Sequence, residues 1–347
     1  MHDMKPTAKK PLGARVVLAL MCVYLFWGGT YLGMKFAIET IPPFLMAGLR
    51  FSLAGWVLYA VVRLRGEPRP ALVEMRNAGI AGALMLVCGN GVVAMAEQTV
   101  PSSIASLLIA TTPLWITGIT AVLERKKPGL GSVAGIVMGL AGVAVLVWNP
   151  GSSGAHGASL WGIVAIIVAS VAWSSGTVVS RRARMPKAPL LATAIQMIVG
   201  GALLLVVAAV HGDFVGFSFA QVSRNSWIAM GYLIIFGSML GYTAYVWLFR
   251  NTEPSIAATY AYVNPVVAML VGWLLAGEQL GANALIAAVI IIASVVVITR
   301  FRGGAGKSAE TRSADTDTLP LVEGISAETA MLSPAAATAG NASESDA

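Results

Sequence analysis

Polar residues are scarce along this chain and they fall in a rhythm: long apolar runs alternate with short breaks rich in Lys, Arg, Gly and Pro. Ten such runs can be delimited, at 14–35, 44–62, 77–96, 102–123, 131–148, 159–180, 190–210, 226–249, 255–276 and 283–299. A bilayer core is crossed by about 20 largely apolar residues in a helix, so the pattern predicts an all-α integral membrane protein with ten transmembrane helices. The first run follows Lys5, Lys9, Lys10 and Arg15, as a signal peptide would, but it is too long and lacks a small-residue cleavage site. It is read as a retained helix.

Composition agrees with that setting. Of the 347 residues, 57% are hydrophobic and 11% charged, where a soluble domain carries about a quarter charged residues. The two cysteines, Cys22 and Cys88, fall inside apolar runs, where no oxidant is expected, so a disulfide is not. The segment 303–347 is rich in Gly, Ala, Ser, Thr and acids. It offers too little apolar surface to offset its ordering entropy and is expected to be a disordered cytoplasmic tail.

Cations fix an expected orientation. With both termini in the cytoplasm, 20 of the 23 Lys and Arg fall in cytoplasmic segments, while Lys35 and Arg224 fall outside and Arg50 lies within the second run. So one-sided a distribution is the positive-inside signature. The formal charge of +7 is thus a topology signal and implies no nucleic-acid partner.

The runs also repeat. "IASLLIATTPLW" at 104–115 returns as "IAATYAYVNPVV" at 256–267, with Pro113 and Pro265 each nine residues after an Ile-Ala pair, an offset of 152. An offset of 146 carries Trp27 onto Trp173, Lys35 onto Arg181, Pro43 onto Pro189 and Gly55 onto Gly201. The chain therefore reads as two five-helix repeats, 14–148 and 159–300. Five is odd, so the second copy must enter the membrane from the opposite side, giving inverted repeats. Such repeats with helices interrupted at matching places point to a transporter whose site lies near the midplane. Each proline removes a backbone donor and frees a carbonyl, which lipid does not tolerate but a cavity does.

The "FWGGTYLGMKFAI" of the first run, the "RF" at Arg50 and Phe51, and the "NPVVAMLVGWLLAGEQL" that closes the ninth resemble the EamA branch of the drug/metabolite transporter superfamily, and within it bacterial inner-membrane exporters. The resemblance spans about 14–300. It implies a central cavity lined by the first, third, fourth, sixth, eighth and ninth runs, with the fifth and tenth at the periphery. Glu124 follows its proline by two residues fewer than Glu278 does, so the first copy departs from the second at that helix end.

Helical spacing groups candidate cavity residues on single faces. The first run carries Trp27, Thr30, Tyr31 and Met34, and its repeat mate carries Ser170, Trp173, Thr177 and Ser180. The third offers Asn90, Ala94 and Glu97, the fourth Leu108, Thr111, Thr112 and Trp115, the eighth Ser238, Tyr242 and Tyr245, and the ninth Tyr260 and Asn264. Small polar residues on any one helix are explained by close packing. Stripes on six helices exceed what packing needs and predict an aromatic, weakly polar lining.

Among charged residues, Arg50 lies roughly 10 Å into its helix by the helical rise. It is expected to snorkel or to hold a structural pair, the alternative being contact with a substrate carboxylate. Lys35 and Arg181, repeat mates at opposite mouths, are expected to anchor the helices at the interface, with gating as the alternative. Glu97 ends the third run, where water would keep it ionised. Gly135 and Gly139 form a G-x-x-x-G pair, a weak dimer signal in a chain expected to be monomeric.

An enzyme would need a nucleophile with its base, or a metal set. The three histidines, His2, His156 and His211, lie in a tail or in connections, so neither an enzyme nor a metal or cofactor is implied. Sugar phosphates would require several Lys or Arg in the cavity. The reading is a transporter of small neutral or zwitterionic organic metabolites, with amino acids the leading class by the resemblance, acting by facilitated diffusion in the bacterial inner membrane. Proton-coupled efflux is the alternative, and a structural or sensory membrane protein the alternative of another class.

Overall fold

The computed structural model describes residues 13–125, 129–148, 159–252, 259–279 and 281–297. The tail predicted to be disordered lies outside them, as do residues 255–258 at the start of the ninth run. The described residues are helical and contain no strand. Seven helices are long and apolar enough to cross a membrane, and three shorter apolar ones coincide with the fifth, ninth and tenth runs.

Helix α1 is Ala14–Ala37 and α2 is Pro43–Leu64. The next span, α3, is Leu72–Ala96, beginning five residues before the expected run because the Glu74 carboxylate accepts from the Ala71 nitrogen at 3.0 Å and closes the first turn. The fourth run is broken as the proline predicted: α4 is Ser102–Ile109 and α5 is Thr112–Glu124, with Pro113 in the first turn of α5, where its missing N–H costs nothing. After α6 (Leu130–Trp148) come α7 (Leu160–Arg182) and α8 (Pro189–His211). Helix α9 runs as Arg224–Tyr232, Leu233–Gly241 and Tyr242–Asn251. Helix α10 is Tyr260–Ala276, with Pro265 inside it, and the last described helix, α11, spans 282–297.

Two features were not anticipated. The middle of α3, Ala83–Gly91, and the middle of α9, Leu233–Gly241, are π-helical. Each is nine residues long, each ends on glycine, and they stand 150 residues apart. A π-turn bonds each N–H five residues back, widening the helix and rotating the residues that follow; such segments collect at functional sites.

Packing of α2 on α8 shows how the halves meet. Side chains at Gly48, Gly55 and Gly201 would collide with the facing helix: a Cβ on Gly55 would lie 2.8 Å from the Ile198 nitrogen, one on Gly48 3.0 Å from the Leu205 nitrogen, and one on Gly201 2.5 Å from the Ser52 nitrogen. Each step up α2 is matched by an equal step down α8, so the two helices are antiparallel. The offset of 146 converts the contact of Gly55 with Ile198 into that of Gly201 with Ser52. The contacts of this pair are thus reciprocal and antiparallel. Gly135 and Gly139 are both buried within the chain, and the bare face of Gly139 admits Leu114 and Ser294. Gly139 of the G-x-x-x-G pair therefore lets α6 pack closely against α5 and α11 within the chain.

Candidate functional site

A cavity of about 910 Å³, its mouth included, opens in the main helical unit and is lined from both halves of the chain. From the first half come Trp27, Thr30 and Tyr31 of α1, Arg50 and Phe51 of α2, Gly89 and Asn90 of the α3 π-segment, Ser106 of α4 and Thr112 of α5. The second half contributes Trp173 of α7, Gly237 and Ser238 of the α9 π-segment, Tyr242 of α9, and Tyr260, Asn264 and Pro265 of α10. Both π-segments thus face this space, and Pro265, unlike Pro113, borders it directly.

One wall is an aromatic cluster built on Trp27. Its ring lies 4.9 Å from Tyr245, 5.5 Å from Tyr260 and 5.7 Å from Tyr242, centroid to centroid. Its indole N–H donates to the Gly237 carbonyl at 3.0 Å, tying α1 to the π-segment of α9. Edge and tilted arrangements of this kind are favoured by the ring quadrupoles. Trp173, the repeat mate, lies over Gly89 of the other π-segment.

Several predicted residues fall outside the lining. Tyr245 packs behind Trp27, against Tyr242 and Tyr260. Thr111 donates to the Leu108 carbonyl at 2.6 Å and accepts from the Trp115 indole at 3.1 Å, so both residues complete the break between α4 and α5. Thr177 donates to the Trp173 carbonyl at 2.9 Å. Conversely, Leu86, Gly89, Ser106 and Gly237 line the cavity without having been singled out. Leu86 and Gly89 share a helical stripe with Asn90 and Val93, at i, i+3, i+4 and i+7, so spacing from Asn90 could have found them; Gly237 adjoins Ser238 in the π-segment of α9.

Polar atoms inside the cavity are incompletely partnered. Arg50 is 4% exposed. Its Nε donates to the Ser238 hydroxyl at 2.8 Å and its Cζ lies 4.7 Å from the Phe51 ring centroid, while Nη1 has no hydrogen-bond partner among the described residues. The Asn90 and Asn264 side-chain carbonyl oxygens are likewise buried without a partner. Of the expectation that Arg50 snorkels or holds a structural pair, snorkelling is corrected, since Arg50 is buried; its partner is the Ser238 hydroxyl, and no described carboxylate lies within 4.0 Å of it. Glu97 is corrected as well. It is 5% exposed and both its oxygens lack partners, because Glu97 is folded against the bundle where the sequence position suggested water.

Lys35 does not merely anchor α1. Its ammonium donates to Glu278 Oε1 at 2.9 Å, and that carboxylate also accepts from the Ser102 nitrogen (3.0 Å), the Ser102 hydroxyl (2.8 Å) and the Ser103 nitrogen (3.1 Å) at the start of α4. Gly277, at φ 62°, ends α10 in a left-handed turn that turns Glu278 back onto this knot. In the other half Arg182, and not Arg181, pairs with Glu124 at 2.6 Å, and Arg181 is exposed. The shorter proline-to-glutamate spacing in the first copy accompanies that shift by one residue.

Comparison with known proteins places this architecture. The sequence profile of the EamA-like transporter family matches residues 14–148 and again 160–300. The inner membrane transporter YedA of Escherichia coli (strain K12) is 39% identical over 282 residues, covering 81% of this chain and 89% of that protein. The transporter YoaV of Bacillus subtilis (strain 168) is 25% identical over 291 residues, covering 82% and 97%. A solved crystal structure superposes with a TM-score of 0.58 at 21% identity, over 84% of this chain and 98% of that one, a likeness of fold alone. With two family matches spanning the helical region, apolar helices of membrane-crossing length and a relative of this identity, the chain belongs to the EamA-like transporter family and is a multi-pass membrane protein.

Proposed function

We propose that this protein carries small neutral or zwitterionic organic metabolites out of the cell across the inner membrane, amino acids with aromatic or apolar side chains being the leading class. The two halves, 14–148 and 159–300, rock as inverted repeats around the cavity in alternating access, and the solute moves down its own gradient. The observation that carries this reading is the cavity itself, drawn from both halves, walled by Trp27, Trp173, Tyr242 and Tyr260, with Arg50 the single cationic side chain among the described lining residues. Such a space suits an apolar body with few polar ends. Among the described residues its lining has no cluster of cations such as a phosphorylated solute requires.

A second reading, proton-coupled efflux, is favoured by Glu97. A carboxylate buried without any partner is poorly stabilised as an anion, and buried acids inside membrane bundles serve as proton carriers. The two readings part in proteoliposomes of purified protein loaded with labelled phenylalanine, tryptophan or leucine. Facilitated diffusion predicts counterflow and net flux that do not respond to an imposed pH gradient. Accumulation against the solute's own gradient, driven by protons and abolished in Glu97→Gln, would replace it by the coupled mechanism. Absence of uptake across a broad panel of organic solutes would favour a structural or sensory role.

A further inference from the structure

We propose that the cavity recognises a carboxylate on its substrate, held by the Arg50 guanidinium, with the Asn90 and Asn264 side-chain carbonyls accepting hydrogen bonds from the substrate's ammonium or other donor. The proposal rests on the transport reading and narrows it.

A guanidinium is charged at every relevant pH, and in a bilayer-spanning bundle its burial is compensated by an anion or by escape to the interface. Among the described residues, neither a contacting anion nor a path to the interface is found for Arg50. It is 4% exposed and borders the cavity, its Nε meets only the neutral Ser238 hydroxyl, its face rests on Phe51, and Nη1 is unpartnered. The charged and titratable groups near it are Glu97 and Tyr232, and Glu97 stays beyond 4.0 Å. The missing counter-charge is therefore one a ligand supplies. Guanidinium geometry matches a carboxylate through paired N–H donors.

Asymmetry adds direction. The repeat mate of Arg50 is Gln196, which is engaged within the protein: its amide donates to Ser180 at 3.2 Å and its carbonyl accepts from the Tyr242 hydroxyl at 3.4 Å. Among the described lining residues only the first half thus offers a cation, and the substrate binds with its anionic end toward α2. Of the other buried atoms without a partner among the described residues, the two Glu97 oxygens belong to a residue outside the lining, whereas Oδ1 of Asn90 and of Asn264 belong to lining residues; these are acceptors, which a carboxylate cannot satisfy and an ammonium or amide N–H can. One cation selects a monoanionic end over a phosphate. The aromatic wall around Trp27 takes the apolar body and faces an ammonium with its rings.

The test is a ligand series on the unaltered protein in proteoliposomes: phenylalanine, 3-phenylpropionate, phenylalaninamide and phenethylamine, each labelled. The carboxylates are expected to enter at least about tenfold faster than the amide and the amine, the loss that follows when a charge-assisted hydrogen bond is removed. Arg50→Gln is expected to abolish that preference and Arg50→Lys to retain part of it. Should Arg50→Gln fail to insert, the series on the parental protein still decides. Equal uptake of all four, or preference for the amide and amine, overturns the carboxylate assignment while leaving transport standing. No uptake of any of the four overturns it too, and the broader solute panel then decides whether transport itself fails.

Discussion

Trp27 and Trp173 are equivalent in sequence but unequal in their surroundings. Trp27 is wedged among three tyrosines and bonded to Gly237, whereas Trp173 rests on Gly89. Trp27→Ala and Trp173→Ala are both expected to lower initial uptake rates at least about tenfold, or 1.4 kcal/mol, with insertion preserved. Trp27→Phe keeps the ring contacts and loses the bond to Gly237, so it is expected to fall between parent and Ala. Uptake at the parental rate by both Ala variants, measured at equal amounts of folded protein, would remove these residues from the site.

At the scale of elements, the decisive junction is the one that joins the ends of α1 and α10 to the start of α4. Burial alone would push the Glu278 carboxyl up, but the Lys35 ammonium and the donors of Ser103 and Ser102 hold it at about 2, below its ordinary 4.5. A depressed carboxyl contributes stability above its unfolded pKa and loses that contribution as pH falls through its folded value. Glu278→Gln is therefore expected to lower thermal stability in detergent by roughly 1–3 kcal/mol, equally at pH 6 and pH 8. The gap to the parent should narrow below about pH 4.5 and vanish near pH 2. A gap that persists unchanged into acid would show that the carboxylate's charge contributes nothing. The matching pair, Arg182 with Glu124, is about two-fifths exposed on both sides, where ion pairs contribute little. The two ends of the bundle are thus tied with unequal strength.

For the whole molecule, the one-sided distribution of cations predicts both termini in the cytoplasm, and the antiparallel packing of α2 on α8 is compatible with that prediction. In a variant with Cys22 and Cys88 replaced by Ala, cysteines introduced at Ser153 and Asn283 are expected to react with a membrane-impermeant thiol reagent applied to intact cells. A cysteine at Arg182 should stay silent until the cells are opened. Labelling at 182 with silence at 153 would invert the topology.

Much of this was legible in one dimension because the bilayer imposes it: the length of each apolar run, the side on which cations lie, and the proline that divides α4 from α5 are local consequences of solvation and backbone geometry. Trp27, Asn90, Tyr242 and Asn264 were legible as polar or aromatic stripes, and they line one cavity. What only the tertiary structure decided was where charge ends up. Arg50 and Glu97 look from the sequence like a snorkelling cation and a hydrated acid, yet both are buried with unpartnered atoms, since burial depends on which helices cover a residue and not on its place in the run. The π-segments of α3 and α9 were equally hidden, because an apolar run does not reveal whether each N–H bonds four or five residues back; that choice is settled by how the helix packs, and both segments border the cavity.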